Sequence, residues 1–142
     1  MKKLFTKKGF TLIELLLVLA IIGVLTSFLV ANLIGAKARA RDAQRKSDLQ
    51  QIRAALELYR ADLNSYPPAP LTCGSALLGN SATYMTKVPC DPLSKSSYSY
   101  TLTGGGTGYS LVACLENSND TQKDTTNTGC PAGNFSYTLI NP

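Results

Sequence analysis

Two hydrophobic patterns divide this chain. From Leu15 to Ala36 the sequence is apolar all round, broken only by Thr26, Ser27 and Asn32. At ~1.5 Å of rise per residue this run makes roughly 33 Å of helix, enough to cross a hydrocarbon core of about 30 Å. Lys37 to Leu63 then contains neither proline nor glycine and is rich in Ala, Arg, Gln, Leu and Lys, all good helix formers. A single helix from Phe10 to Leu63, roughly 80 Å long, is therefore expected. In its second half Leu49, Ile52, Leu56, Tyr59 and Leu63 recur at spacings of three and four, with Ala55 beside them. Five positions are too few for a long coiled-coil seam, so this stripe is assigned to a core face that something must cover. Asn64-Ser65-Tyr66-Pro67-Pro68-Ala69-Pro70 ends the helix, because its prolines cannot continue it. The covering element is expected from Ser97 to Leu102, Tyr109 to Leu115 and Phe135 to Ile140, short stretches rich in Tyr and aliphatic or β-branched residues, with Gly104-Gly105-Gly106 turning between the first two. The predicted fold class is α+β: a long N-terminal helix packed against a small antiparallel sheet.

Charge sharpens the first pattern. Of the formal net charge of +5, most resides in Lys2, Lys3, Lys7 and Lys8. Between Phe10 and Ala36 the only formally charged side chain is Glu14. A basic start before an apolar segment is the layout of a secretory signal peptide, but such apolar regions run about 7 to 15 residues before a small-x-small cleavage site. This one is too long, which leaves a signal anchor or something more specialised. In a plain anchor, Glu14 complements the helix dipole and reaches toward the interface. If instead the chain is cut after Gly9, a new amine on Phe10 needs a counter-ion in apolar surroundings, and Glu14 is four residues away. An ammonium and a carboxylate ~4 Å apart attract by about 4 kcal/mol at an effective dielectric of 20, before desolvation. Supplied between staggered neighbouring subunits, that pair would make burial of the charge conditional on assembly and so set a register.

Lys7-Lys8-Gly9-Phe10-Thr11-Leu12-Ile13-Glu14, running into Leu15-Leu16-Leu17-Val18-Leu19-Ala20-Ile21-Ile22-Gly23-Val24-Leu25, resembles the class III signal of type IV prepilins and type II secretion pseudopilins. The resemblance implies cleavage after Gly9 by a membrane prepilin peptidase, N-methylation of Phe10, and an assembly role for Glu14. It extends over about the first 115 residues, through a Tyr66-Pro67 ending of the helix and through Pro89-Cys90-Asp91-Pro92, similar to a Pro-x-Asp-Pro segment before the sheet. The chain departs from the family pattern at Ala31, where many relatives carry a proline; without it a continuous helix is expected. The implied organisation is a leader over 1–9, a transmembrane and filament-core helix over 10–36, its amphipathic continuation over 37–66, and a loop-rich sheet head, type IV pilin-like, over 67–142.

Lys37, Arg39, Arg41, Arg45 and Lys46 place basic residues on the far side of the span, so charge alone does not orient the protein. They are read as a solvated face or a partner for anionic headgroups, ahead of a contact with acidic residues of a neighbouring subunit or with DNA; DNA is a minor reading, since no aromatic residue is interleaved from Lys37 to Lys46. All four cysteines follow residue 70, as in a small exported domain with disulfides. This puts the leader in the cytoplasm and the head outside the cytoplasmic membrane. Four cysteines allow three pairings, which the sequence does not distinguish. Pairing of neighbours, Cys73 with Cys90 and Cys114 with Cys130, is expected, each closing a loop worth roughly 3 kcal/mol in the chain-entropy model; the second resembles the disulfide-bounded surface loop of many type IV pilins.

No metal or cofactor is expected. There is no Cys-x-x-Cys and no histidine for zinc. Asn117, Asn119, Asp120 and Asp124 are oxygen-rich, a weak calcium possibility given that some pseudopilins bind it, but their spacing is not that of an EF-hand loop and a solvated turn is the preferred reading. Asn119-Asp120-Thr121 and Asn134-Phe135-Ser136 match glycosylation acceptors only as three-residue patterns. Without histidine or a phosphate-binding glycine loop, no catalytic residue is assigned. The expected function is a structural subunit of a type IV pilus-like filament, polymerising with itself through its N-terminal helix and served, by family resemblance, by a prepilin peptidase, a platform protein and a cytoplasmic ATPase. The alternatives are a major pseudopilin of a type II secretion system and, more distantly, a monomeric signal-anchored binding domain.

Overall fold

A computed structural model describes residues 9–141, with backbone only at 30–32. Apart from Gly9, the leader and its four lysines lie outside the described residues. The helix α1 covers Leu12–Leu63 without interruption, passing through Gly23, Ala31 and Gly35. It begins two residues later than the apolar pattern suggests, because Thr11 is used as its cap. It ends at Asn64, which takes a left-handed conformation (φ 55°) and donates its N–H to the Arg60 carbonyl at 2.8 Å. Asparagine tolerates that geometry, and the prolines that follow prevent another turn.

The chain divides into two compact units, residues 1–37 and 38–142. In the first, the described large apolar side chains from Phe10 to Ile34 are all exposed. Two uncharged polar side chains mid-span turn back onto the helix: the Thr26 hydroxyl donates to the Ile22 carbonyl and the Ser27 hydroxyl to the Val24 carbonyl, both at 2.7 Å. Such bonds remove the cost of placing a hydroxyl in hydrocarbon.

The second unit holds the core. The rest of α1 contributes Leu49, Ile52, Ala55 and Leu56, all nearly inaccessible, with Tyr59 packed partly against them. Their cover is a three-stranded antiparallel sheet in the order β3-β4-β5: β3 Ser99–Thr103, β4 Gly108–Leu115 and β5 Phe135–Ile140. Along β4 Tyr109, Leu111, Ala113 and Leu115 face the core while Ser110, Val112 and Cys114 face away, the period of two that one-sided burial demands. A 3-10 turn, Gly104–Gly106, joins β3 to β4, with Gly105 at φ 68°. The first strand expected at Ser97 starts at Ser99 instead, because the Ser97 hydroxyl accepts the Cys73 N–H at 2.9 Å and holds that residue in the preceding loop.

A second sheet was not anticipated. β1 Leu77–Gly79 and β2 Ala82–Met85 form a hairpin through Asn80 and Ser81, both at positive φ (44° and 69°). Two left-handed central residues make the turn whose twist matches the flanking strands. The strands are too short for a periodicity to show, but Gly79-Asn80 was the available signal.

Candidate functional site

At the N-terminal junction Phe10 is 80% exposed. A side chain at Gly9 would meet no atom within 4 Å, and its backbone is not left-handed, so nothing among the described residues requires glycine there. Next to it Thr11 and Glu14 form a reciprocal cap. The Thr11 N–H and hydroxyl donate to Glu14 Oε2 at 3.0 and 2.9 Å, and the Glu14 N–H donates to Thr11 Oγ1 at 3.3 Å. This is a capping box, Thr-x-x-Glu before an apolar run, which satisfies donors that a helix start otherwise leaves orphaned. The Thr11-x-x-Glu14 spacing is the sequence signature of this cap, beyond the counter-ion role expected of Glu14. Only Oε2 is occupied; Oε1 accepts no hydrogen bond among the described residues. The structure thus gives Glu14 a local role while leaving one oxygen for another donor.

The basic segment is a correction. Arg41, Arg45 and Lys46 do not form a solvated face; each is bound by carboxylates of the same subunit. Arg45 has 3% of its side chain exposed. It donates through Nη1 to Asp42 at 2.8 Å and Glu116 at 2.7 Å, and through Nε to Asp91 at 2.6 Å. Arg41 grips Glu116 with two parallel bonds, Nε to Oε1 at 2.8 Å and Nη2 to Oε2 at 2.5 Å. The Lys46 ammonium sits between both oxygens of Asp120, at 2.7 and 2.6 Å, and Gln122 Oε1 at 3.0 Å. The sequence showed the cations but, Asp42 apart, not the acids, which lie 46 to 75 residues further along.

These contacts set the titration of the acids. Arg41 and Arg45 outweigh burial and hold the Glu116 carboxyl down at about 2. Burial pushes Asp91 up, but Arg45 and the N–H groups of Ser94 and Leu93 prevail and bring it to about 2. Lys46 lowers Asp120. Burial also disfavours the Arg45 cation, yet its hydrogen bonds to Asp91, Glu116 and Asp42 raise its pKa overall. Asp42 completes the cluster by accepting the Glu116 and Asn117 N–H groups at 3.0 and 2.9 Å.

Further along α1 the acids meet tyrosines. The Tyr98 hydroxyl donates to Asp48 at 2.7 Å, Tyr66 and Tyr109 both donate to Glu57 at 3.1 Å, and Tyr84 donates to Asp62 at 2.9 Å. Burial raises Asp48 despite its tyrosine donor. Asp124, in the stretch weighed for calcium, accepts the Thr138 hydroxyl at 2.6 Å and the Thr138 N–H at 3.3 Å. With Asp120 held by Lys46, that stretch is a bonded loop rather than a solvated turn. All nine carboxylates of the chain therefore accept hydrogen bonds from the chain itself. Among the described residues no cluster of three or more His, Cys, Asp or Glu is arranged to hold a metal.

The four cysteines form two bonds, Cys73–Cys90 and Cys114–Cys130. The second closes the loop that carries Glu116 and Asp120, and the first ends one residue before Asp91. Each covalent bridge thus fixes a segment that presents a carboxylate to α1.

Two family models match the chain: the prokaryotic N-terminal methylation motif over residues 4–30 and the type II secretion system (T2SS), protein G, over residues 32–129. The type II secretion system core protein G of Escherichia coli (strain K12) is 35% identical over 96 residues, which cover 61% of this chain and 66% of that protein. The protein of the same name from Vibrio cholerae is 40% identical over 67 residues, covering 47% and 46%. The type IV wide pilus major component PilA4 of Thermus thermophilus is 48% identical over 59 residues, covering 42% and 45%. The chain spans between under half and about two thirds of the length of these relatives. No solved structure matches it.

Proposed function

Since this chain belongs to the type II secretion system protein G family, whose model covers residues 32–129, we propose that it is a structural subunit of a type IV pilus-like filament. In this reading a prepilin peptidase cuts after Gly9 and methylates the new amine of Phe10, and the subunit waits in the cytoplasmic membrane with its leader inside and its head outside. It then polymerises with further copies through α1. A platform protein and an ATPase supply direction, because exchanging lipid for protein around an apolar helix leaves little hydrophobic driving force. We assign the subunit no catalytic residue and no cofactor.

The observation that carries this reading is the junction: an exposed Phe10 after a glycine that no described residue requires, and a capped, wholly exposed apolar helix behind it. Recognition by another molecule accounts for Gly9, and contact with lipid or with neighbouring copies accounts for the helix. The unoccupied Oε1 of Glu14 can receive the Phe10 ammonium of the next subunit without breaking the capping box.

A second reading, the major pseudopilin of a type II secretion system, is favoured by the protein G relatives, as the pilus reading is by the Thermus protein. Intact mass and N-terminal sequence, measured on material sheared from the cell surface and on material left in the membrane, separate the two. A chain starting at methylated Phe10 in the sheared fraction is expected. The same chain confined to the membrane fraction would establish the pseudopilin instead, and an uncut Met1 chain everywhere would refute both.

A further inference from the structure

We propose that the basic segment at residues 37–46 is a surface for anionic lipid headgroups that the subunit's own head masks. Arg41, Arg45 and Lys46 lie five to ten residues beyond the end of the apolar run at Ala36, where cations attract the phosphates of an anionic leaflet. The head meets these three cations with three carboxylates of its own, Glu116, Asp91 and Asp120, at 2.5 to 2.8 Å. The masked surface is close to neutral, and the mask is complete at its centre, since Arg45 is almost wholly withdrawn from solvent.

The mask is also the part of the head that is covalently fixed. Asp91 follows Cys90, Glu116 stands two residues after Cys114, and Asp120 lies inside the loop closed by Cys114–Cys130. Without the bridges these segments would have to find α1 against the entropy of long connections. An undocked head would leave Arg41 and Lys46 beside the bilayer without their carboxylates and Arg45 with only Asp42 of its own helix; a docked, oxidised head removes that adhesion. A subunit that must leave the lipid to enter a filament gains from the masked form. The inference rests on the reading of residues 12–36 as a membrane span.

The test uses the full chain reconstituted in phosphatidylcholine bilayers containing spin-labelled phosphatidylglycerol or spin-labelled phosphatidylcholine, with the motionally restricted fraction of each giving the relative affinity. The wild-type chain should show only a weak preference for phosphatidylglycerol. Glu116→Gln with Asp120→Asn should raise the preference at least tenfold, the full worth of the two cations it frees, Arg41 and Lys46, being about thirtyfold, and the gain should vanish in about 1 M salt. Adding Arg41→Gln and Lys46→Gln to that variant should abolish the gain, even if its head is partly unfolded. A wild-type preference equal to that of the Glu116/Asp120 variant would overturn the mask, as would a gain that survives removal of the two cations. A thiol reductant should raise the wild-type preference in the same way; no change would overturn the part given to the bridges. Failure of the membrane-span reading would look different, as no restricted lipid of either kind.

Discussion

Replacing Arg45 by methionine should invert the acid response of the head. In the wild type Asp91 and Glu116 titrate at about 2 when folded, below the ordinary values of 3.8 and 4.5 that these carboxyls have in an unfolded chain. A lowered carboxyl pKa contributes stability that is fully present above the unfolded value and is lost as the pH falls through the folded one. The window is therefore roughly pH 5 to 2. A lowering of that size at ~1.4 kcal/mol per pH unit is worth about 3 kcal/mol for each group, and because the two share Arg45, with Arg41 the first partner of Glu116, they do not add. Roughly 3 kcal/mol for the pair is a large share of a typical domain stability of about 5–15 kcal/mol. Methionine fills much of the same volume but leaves the buried Asp42 and the partly buried Asp91 without their cation, which should cost about 3–5 kcal/mol at neutral pH. Burial would then raise the folded pKa of Asp91 above its unfolded value, so lowering the pH would relieve the variant where it weakens the wild type. The assay is denaturant unfolding of the full chain in detergent between pH 2 and 7, followed by near-ultraviolet circular dichroism of the core tyrosines. A loss under about 1 kcal/mol at pH 7, or an unchanged slope between pH 5 and 2, would refute the assignment of Arg45 as the hub.

Other changes test other parts of the molecule. Leu56→Asp places a charge without a partner at a fully buried position and should unfold the head, by upwards of about 3 kcal/mol; unchanged protease resistance would show that the stripe does not face the core. Tyr98→Phe removes the only hydroxyl on Asp48 and should cost about 1–3 kcal/mol at pH 7, with part of the loss recovered in acid as Asp48, already raised by burial, takes a proton; a variant as stable as wild type at pH 7 would deny the pair its role. Glu14→Ala should leave insertion and cleavage intact while sharply reducing filament yield, counted in sheared material; a normal yield would reduce Glu14 to its capping bond with Thr11.

Much of the head was legible because its signals are local. Leu49, Ile52 and Leu56 declare one face by spacing, Pro67 and Pro68 end a helix whatever surrounds them, and the alternation of Tyr109 to Leu115 can be satisfied only by a strand with one buried side. The hairpin through Asn80 and Ser81 escaped because strands of three and four residues are too short to display a period, and its turn depends on two left-handed residues neither of which is glycine. The cap at Thr11 was within reach of the sequence, being a four-residue pattern.

The role of the basic segment could not be read in the same way. A cation on a helix looks alike in sequence whether water, lipid or a carboxylate faces it, and the distant carboxylates that face Arg41, Arg45 and Lys46 arrive from two separate loops. By itself the sequence determined the long helix, its apolar first half and the three-stranded sheet, and it carries the N-terminal motif around Gly9, Phe10 and Glu14, because these follow from composition and spacing within a few turns of chain. Which acid meets which base, and hence whether the surface after the span is charged or neutral, was decided by the tertiary structure alone, since pair energies at about 3 Å depend on the path of the whole chain.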